Sequence, residues 1–368
     1  MMGDSTAAAP TEAEPIRLAI VGLGIGRAHL LACLDQRAHY RLVAVADVDE
    51  ALAKEVAGWA KDVLPVTSLD EVMAMTDVDV VSLCTPPYLH RQQVEECLRA
   101  GKDVFCEKPL VGSVRQVDEL AAIAAETGRT VMPILQYRFG RGIQRLKRLV
   151  DAGLTGRPFV TNIDLAWSRG RDYYATPWRG RWETELGGTI LSHASHHLDL
   201  AMLVLGPPTS VLARVATLVN EVETEDSAAV ILRWADGSLA TLSATVGSVA
   251  EISRHRFTFE HLSAESGTAP YDNGADPWTY TPAATEAGER LAAALAATTD
   301  EEAGPEGYPG QFAGFAAARA DGEAPPVTLD DSRRLLELVT AIYISARQGS
   351  EVTLPLAPDD PALDGWQP

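Results

Sequence analysis

The sequence is poor in cysteine, in basic residues and in long apolar runs, and each shortage removes a class of protein. Four cysteines (Cys33, Cys84, Cys97 and Cys106) in 368 residues, none in a Cys-x-x-Cys pair, are too few for a disulfide framework. They read as reduced thiols inside apolar elements, and no metal site is expected. The chain has 31 Lys and Arg against 51 Asp and Glu, a net charge of −20. A field of that sign repels phosphate backbones and anionic lipid, so neither nucleic acid nor a membrane surface is an expected partner. No run approaches the roughly 18 consecutive apolar residues of a membrane span. Residues 1–15 lack the basic and apolar regions of a signal peptide, so they are expected to form a disordered tail on a cytoplasmic protein.

What remains is an ordinary globular composition, 46% apolar and 22% charged, at a length suited to two domains. From Ile16 onward, short apolar runs (17–22, 41–47, 78–84, 103–106 and 130–135) alternate with helical periodicity over 26–37, 49–60, 88–100 and 113–127. Strands separated by helices of that length form a parallel sheet with right-handed crossovers. Residues 16–136 are therefore expected to be a doubly wound, Rossmann-type domain. After Phe139 the rhythm changes. A helix over 139–152 precedes strands at 158–168, 209–220, 227–235 and 238–248, the last two joined through Asp236-Gly237, with a long helix at 188–204 among them. This predicts a second, α+β domain over 137–368 with an open, mainly antiparallel sheet and two late helices (306–319 and 329–348). Its open face suggests a homodimer or homotetramer. The Pro-, Gly- and Ala-rich stretch 264–310 is expected to be loops.

Gly22-Leu23-Gly24-Ile25-Gly26-Arg27 follows a strand and opens a helix, the context in which a glycine turn cradles a pyrophosphate at a helix N-terminus. The third glycine is out of register: the usual spacing falls on Arg27, so Gly26 would serve after a shortening of the loop. Asp47 ends the second strand, where a carboxylate accepts from a ribose 2′-hydroxyl and repels a 2′-phosphate. The expected cofactor is NAD rather than NADP. The bland alternative makes Asp47 the N-cap of the next helix.

Further along stand Cys84-Thr85-Pro86-Pro87-Tyr88-Leu89-His90, Cys106-Glu107-Lys108-Pro109-Leu110, Gln136-Tyr137-Arg138-Phe139 and Gly187-Gly188-Thr189-Ile190-Leu191-Ser192-His193-Ala194-Ser195-His196-His197-Leu198-Asp199. Together with the fingerprint, these segments resemble the Gfo/Idh/MocA family of glucose-fructose oxidoreductase and inositol dehydrogenase, over nearly the whole chain. The resemblance implies a hydride-transferring enzyme acting on a sugar, sugar derivative or cyclitol. It implies Lys108 as lead acid/base, His196 as its partner and Asp199 as the orienter of His196. It also places Gly22, Gly24, Ile25, Gly26, Asp47, Thr85, Pro86, His90, Glu107, Lys108 and Gln136 around NAD. In inositol dehydrogenase-like members the residue four before the histidine is Asp. Here it is Ser192, which carries no charge for a proton relay, so Lys108 and His196 share the acid–base work or Ser192 hydrogen-bonds a substrate hydroxyl. Three histidines within 193–197 raise a metal reading, but His193 and His197 share one helix face, His196 another, and no carboxylate completes a triad.

Residues 167–182 (WSRGRDYYATPWRGRW) hold four arginines, one acid and three tryptophans. Aromatic faces stack on sugar rings and guanidinium groups bind hydroxyls or anions, so Arg138, Tyr174, Trp178 and Arg179 are expected to join Lys108, Ser192 and His196 against the substrate. A basic island in an acidic chain favours an anionic sugar. Two other functions compete: a redox-neutral glycosidase that oxidises C3 transiently and eliminates a C1 substituent, and a non-catalytic sugar or dinucleotide sensor.

Overall fold

The computed structural model describes residues 14–297 and 304–368. The expected tail lies, but for its last two residues, outside the described residues. Beyond it, β1 (Ile16–Val21), β2 (Tyr40–Ala46), β4 (Val80–Leu83), β5 (Asp103–Cys106) and β6 (Val131–Pro133) are the expected strands, and α1 (Gly26–Asp35), α2 (Glu50–Ala57), α4 (Pro87–Arg99) and α5 (Val114–Thr127) the expected helices. A short edge strand, β3 (Leu64–Val66), and a one-turn helix, α3 (Leu69–Met73), escape the periodicity because three residues containing a proline set up no pattern. The sheet order β3-β2-β1-β4-β5-β6, all parallel, reverses direction between β1 and β4. Ligands bind at such a switch point, beyond the C-terminal ends of the strands. Both central strands are buried on both faces, which is why they read as unbroken apolar runs. Local signals also fix the helix ends. Asp49 caps α2, Ser113 caps α5, and Gly128 ends α5 in the left-handed conformation.

The second unit runs through α6 (Arg141–Asp151), β7 (Pro158–Ser168), the four-residue α7 (Arg171–Tyr174), α8 (Ser195–Leu205), β8 (Ser210–Ala216), β9 (Ser227–Arg233), β10 (Leu239–Thr245), β11 (Gly247–Phe259), β12 (Leu262–Ser266) and β13 (Trp278–Pro282). With α9 (Glu286–Ala297), α10 (Gly307–Asp321), α11 (Leu329–Gln348) and β14 (Val352–Thr353) it completes the chain. The eight-stranded sheet has the order β13-β12-β11-β7-β10-β9-β8-β14, antiparallel except for the parallel pair β7–β10. Alternation along β10 buries Ala240, Leu242 and Ala244 and leaves Leu239, Thr241 and Ser243 on the uncovered face.

Two expectations fail here. The stretch 264–310 is not all loop: it contains the end of β12, β13, α9 and the start of α10. Alternation of Trp278 with Tyr280 stacks both rings in one ladder, and α9 is alanine-rich, so what looked like low pattern is strong helix propensity. The helix at 188–204 is not regular either. It opens with a π-turn over Ile190–Ala194 before α8 begins.

Of the two late helices, α11 packs on β8 of the second sheet, Ala213 N donating to the Ser345 hydroxyl at 2.9 Å, but α10 does not stay there. From α10, Phe312 and Phe315 pack their rings 5.0 and 4.6 Å from Phe105 on β5, and the Tyr40 hydroxyl donates to the Phe312 carbonyl at 2.7 Å. Fully burying a phenylalanine contributes about 1.5–3 kcal/mol, so these contacts weld the end of the chain to the first sheet. Buried residues of both units accordingly share one large apolar cluster, beside which a smaller one, around Phe257, Phe259 and Trp278, lies within the second unit.

Candidate active site

A cleft of about 750 Å³ runs from the glycine turn across the ends of β1, β4 and β5 to the aromatic segment after β7. At one end Gly22 has φ +89°, and a Cβ there would lie 2.7 Å from the Cys84 carbonyl group. That position excludes any side chain. A Cβ on Gly24 would meet nothing within 4 Å, so this backbone is open to a close ligand. A Cβ on Gly26 would lie 2.9 Å from the Ile20 side chain, so this glycine supplies the tight helix–strand packing one position early, as expected from the sequence. No side chain caps α1; Ala28 N in its first turn donates to the Ile25 carbonyl at 2.8 Å, and Ile25 borders the cleft at this helix N-terminus. Asp47 accepts from Leu23 N at 2.8 Å and Asp49 N at 3.0 Å, tethering the glycine turn, and stands on the cleft wall. The cap of α2 is Asp49, not Asp47.

Deeper in, Glu107 is buried at the end of β5. One carboxylate oxygen takes the His29 ring at 3.0 Å and the Tyr308 hydroxyl at 2.9 Å, and the other takes Lys108 N at 3.1 Å. Burial pushes its carboxyl up, but hydrogen bonding and charge from His29, the charge of Lys108 and the Tyr308 hydroxyl outweigh it and hold it at about 2. Lys108 extends its amine into the cleft, donating to the Ser192 carbonyl at 2.5 Å. Burial pushes this amine below its ordinary value; Glu107 opposes, while Arg179 and Arg169 reinforce the shift. His196 is buried and stacked on Tyr137, 4.4 Å between ring centres at 18°. Burial, helped by the Lys108 charge, lowers its ring to about 3, so it is neutral at working pH. Its Nδ1 has no hydrogen-bond partner.

The N-terminal model "Oxidoreductase family, NAD-binding Rossmann fold" matches residues 16–135, and the family's C-terminal domain model matches 143–263. The inositol 2-dehydrogenase of Rhizobium meliloti is 31% identical over 62% of this chain and 68% of its own length. The chain belongs to the Gfo/Idh/MocA oxidoreductase family. A myo-inositol 2-dehydrogenase of Thermotoga maritima is 29% identical over 62% of this chain and 67% of its own. The WlbA dehydrogenase of Bordetella pertussis, solved with NADH and UDP-GlcNAcA, superposes with a TM-score of 0.80 at 26% identity, over 94% of this chain and all of that one. The chain is thus an enzyme of an NAD-binding family whose members include sugar and polyol dehydrogenases.

Within that family frame, several residues sit elsewhere than the sequence suggests. Asp199 does not orient His196. Both of its oxygens accept from Arg138, at 2.8 and 2.6 Å, and Arg138 also reaches Asp331 at 3.1 Å. The planar guanidinium matches a carboxylate bidentately in a way that an imidazole three residues away does not. For the same reason Arg138 is buried and stands off the cleft wall; it anchors α8 to the 3₁₀ turn Gln136–Phe139. His90 likewise lies behind the wall, its ring nitrogens 2.9 Å from the Pro109 carbonyl and 2.8 Å from that of Thr85, clamping the two loops together. Thr85 and Pro86 line the cleft in front of it, and Gln136 does so with its Oε1 buried and unpartnered. On α7 the inward tyrosine is Tyr173, 3.3 Å from His193, whereas Tyr174 packs edge-on against it, off the wall.

Trp178 and Arg179 do line the far end, with Arg179 stacked between Tyr173 and Trp178. The basic island, however, is balanced in space. Arg169 pairs with Glu251 at 2.7 Å, and Arg179 lies 3.5 Å from Glu185. Neither acid falls inside the 167–182 window, so its composition could not show them. Glu185 is the functional residue that sequence reasoning missed: it is buried, faces the cleft, and takes the Ser192 hydroxyl at 3.0 Å and Gly180 N at 2.5 Å. An acid two residues before the Gly-Gly pair, one of two with Glu183, is its one signal in the sequence.

Proposed function

We propose that this enzyme interconverts a secondary alcohol and a ketone on a sugar, sugar derivative or cyclitol, with Lys108 and His196 as the acid–base pair. The reading is carried by one observation: a buried amine with weakened proton affinity projects into the same cleft as the glycine turn, with a neutral imidazole beside it. Bound NAD supplies the hydride acceptor at this place. The chain's residues do the rest. Gly22, Gly24 and the N-terminus of α1 hold the pyrophosphate, Asp47 the ribose hydroxyls, and Glu107 fixes the backbone of Lys108. The Lys108 amine takes the proton of the reacting hydroxyl, and His196 holds the same oxygen through a hydrogen bond. Replacing Lys108 with alanine should lower kcat by about 10²–10⁴-fold while leaving NAD affinity within a few-fold. Wild-type turnover in that variant refutes the assignment. Stoichiometric accumulation of NADH is expected with a polyol substrate; turnover without it would favour the redox-neutral elimination instead.

The uncovered face of the second sheet carries Val160, Ile231, Leu239 and Ile252 among arginines, and we assign it to pairing with a second copy of the chain. Light scattering that gives a monomer mass at micromolar concentration would remove this assignment.

A further inference from the structure

We propose that Glu185 sets the substrate specificity of the cleft by holding the Ser192 hydroxyl as a pure hydrogen-bond acceptor toward the sugar. The inference rests on the reading above. A serine hydroxyl has one proton, and here both neighbours behind it are acceptors: the Glu185 carboxylate at 3.0 Å and the Gly187 carbonyl at 3.5 Å. The proton is committed to Glu185, and only lone pairs remain for the cleft that Ser192 borders. The carbonyl of the same residue takes the Lys108 amine at 2.5 Å. One residue therefore places the acid–base amine and an acceptor side by side. A substrate whose reacting hydroxyl meets Lys108 meets Ser192 with its neighbouring substituent, and that substituent must donate. A vicinal hydroxyl satisfies the site, whereas a deoxy carbon or a fluorine leaves it unpaired.

The carboxylate has a second effect. It lies 3.5 Å from Arg179, while Glu251 pairs with Arg169, so the two guanidinium groups facing the sugar are already matched. A cleft so balanced suits a neutral polyhydroxyl compound better than a carboxylated one, contrary to what the basic island alone implied. Replacement by glutamine reverses both effects at constant shape. Gly180 N donates to Glu185 Oε2 at 2.5 Å and would hold the amide oxygen there, which turns the amide NH₂ toward Ser192. Ser192 would then release its proton into the cleft, and Arg179 would lose its counter-charge.

The test starts from the neutral sugar or cyclitol turned over fastest in a panel of glucose, galactose and myo-inositol. Its monodeoxy and monodeoxyfluoro derivatives and glucuronate are then compared with it by kcat/KM. In the wild type, removing or fluorinating the vicinal hydroxyl should cost about 10²-fold or more. Glu185→Gln should shrink that ratio at least about tenfold and raise glucuronate relative to the neutral sugar by a similar factor. Ser192→Ala should bring the hydroxyl-to-deoxy ratio close to one. NADH binding, followed by fluorescence, checks that each variant is folded. Unchanged ratios in folded Glu185→Gln would overturn the inference and leave the proposed reaction standing. A wild-type enzyme that reduces NAD with no member of the panel would overturn the reading of the reaction and this inference with it.

Discussion

The two ends of the cleft are built in opposite ways. The cofactor end is built on one local turn, Gly22, Gly24 and Gly26, to which Asp47 at the tip of the next strand is joined directly through Leu23 N. The far end, lined by Lys108, Arg169, Arg179 and Ser192, is assembled from distant pieces. Lys108 meets Ser192, Arg169 meets Glu251, and Tyr308 arrives from α10 to brace Glu107. The difference teaches that a backbone-built site survives as a local motif, whereas a site built from side-chain pairs exists only in the folded chain.

The most damaging way to break this contrast is at the Arg138–Asp199 pair. Asp199→Ala leaves a buried guanidinium short of its main partner and should cost about 3–5 kcal/mol in urea denaturation, with sugar turnover falling further than NAD affinity. A loss under about 1 kcal/mol would show that the pair is not what holds α8. Gly22→Ala attacks the other end. A Cβ at φ +89° against the Cys84 backbone should cost about 1–3 kcal/mol and weaken NAD binding, read by thermal melting and titration; unaltered binding would refute the close-approach role.

Smaller effects sharpen the comparison. Glu225 accepts from Ile190 N, Gly188 N and the Tyr343 hydroxyl beneath the π-turn that presents Ser192 and His193. Burial raises its carboxyl from 4.5 to about 7 despite those donors. The folded protein therefore holds this proton more tightly than the unfolded chain, so the contribution is full below pH 4.5 and is lost as pH rises through about 7. Melting temperature should decline across that window, and Glu225→Gln should flatten the decline by about 1–3 kcal/mol. Identical wild-type and variant profiles would count against it. Mildest of all, Asp47→Ala should weaken NAD by about tenfold and narrow the preference over NADP. An unchanged cofactor ratio would end its ribose assignment.

Much of this molecule is legible before folding. The parallel sheet, its helices and the glycine turn all follow from patterns within a dozen residues, because strand runs and turn glycines are local necessities. The partners of Asp199, Arg138 and His90 are not legible. Spacing along a helix says which residues share a face, but not that a guanidinium 61 residues away takes the carboxylate first. Tyr173 and Tyr174 differ by one step of a four-residue helix, too short for periodicity to choose between them. Ser192 looked like a loss of charge because the acid that replaces it in space, Glu185, stands seven residues earlier.

The return of α10 onto β5 has a consequence for synthesis on the ribosome. Phe105 and Tyr40 leave the exit tunnel long before Phe312 and Phe315, the residues that cover them. At roughly 5–20 residues per second the gap lasts on the order of ten seconds or more, during which the nucleotide-binding half has emerged with an aromatic face still uncovered. Tyr308, which braces Glu107, belongs to the same late helix. A nascent chain therefore braces Glu107 and closes its oldest exposed surface in one late event, and stop codons placed just before α10 should yield an insoluble product rather than a half-enzyme.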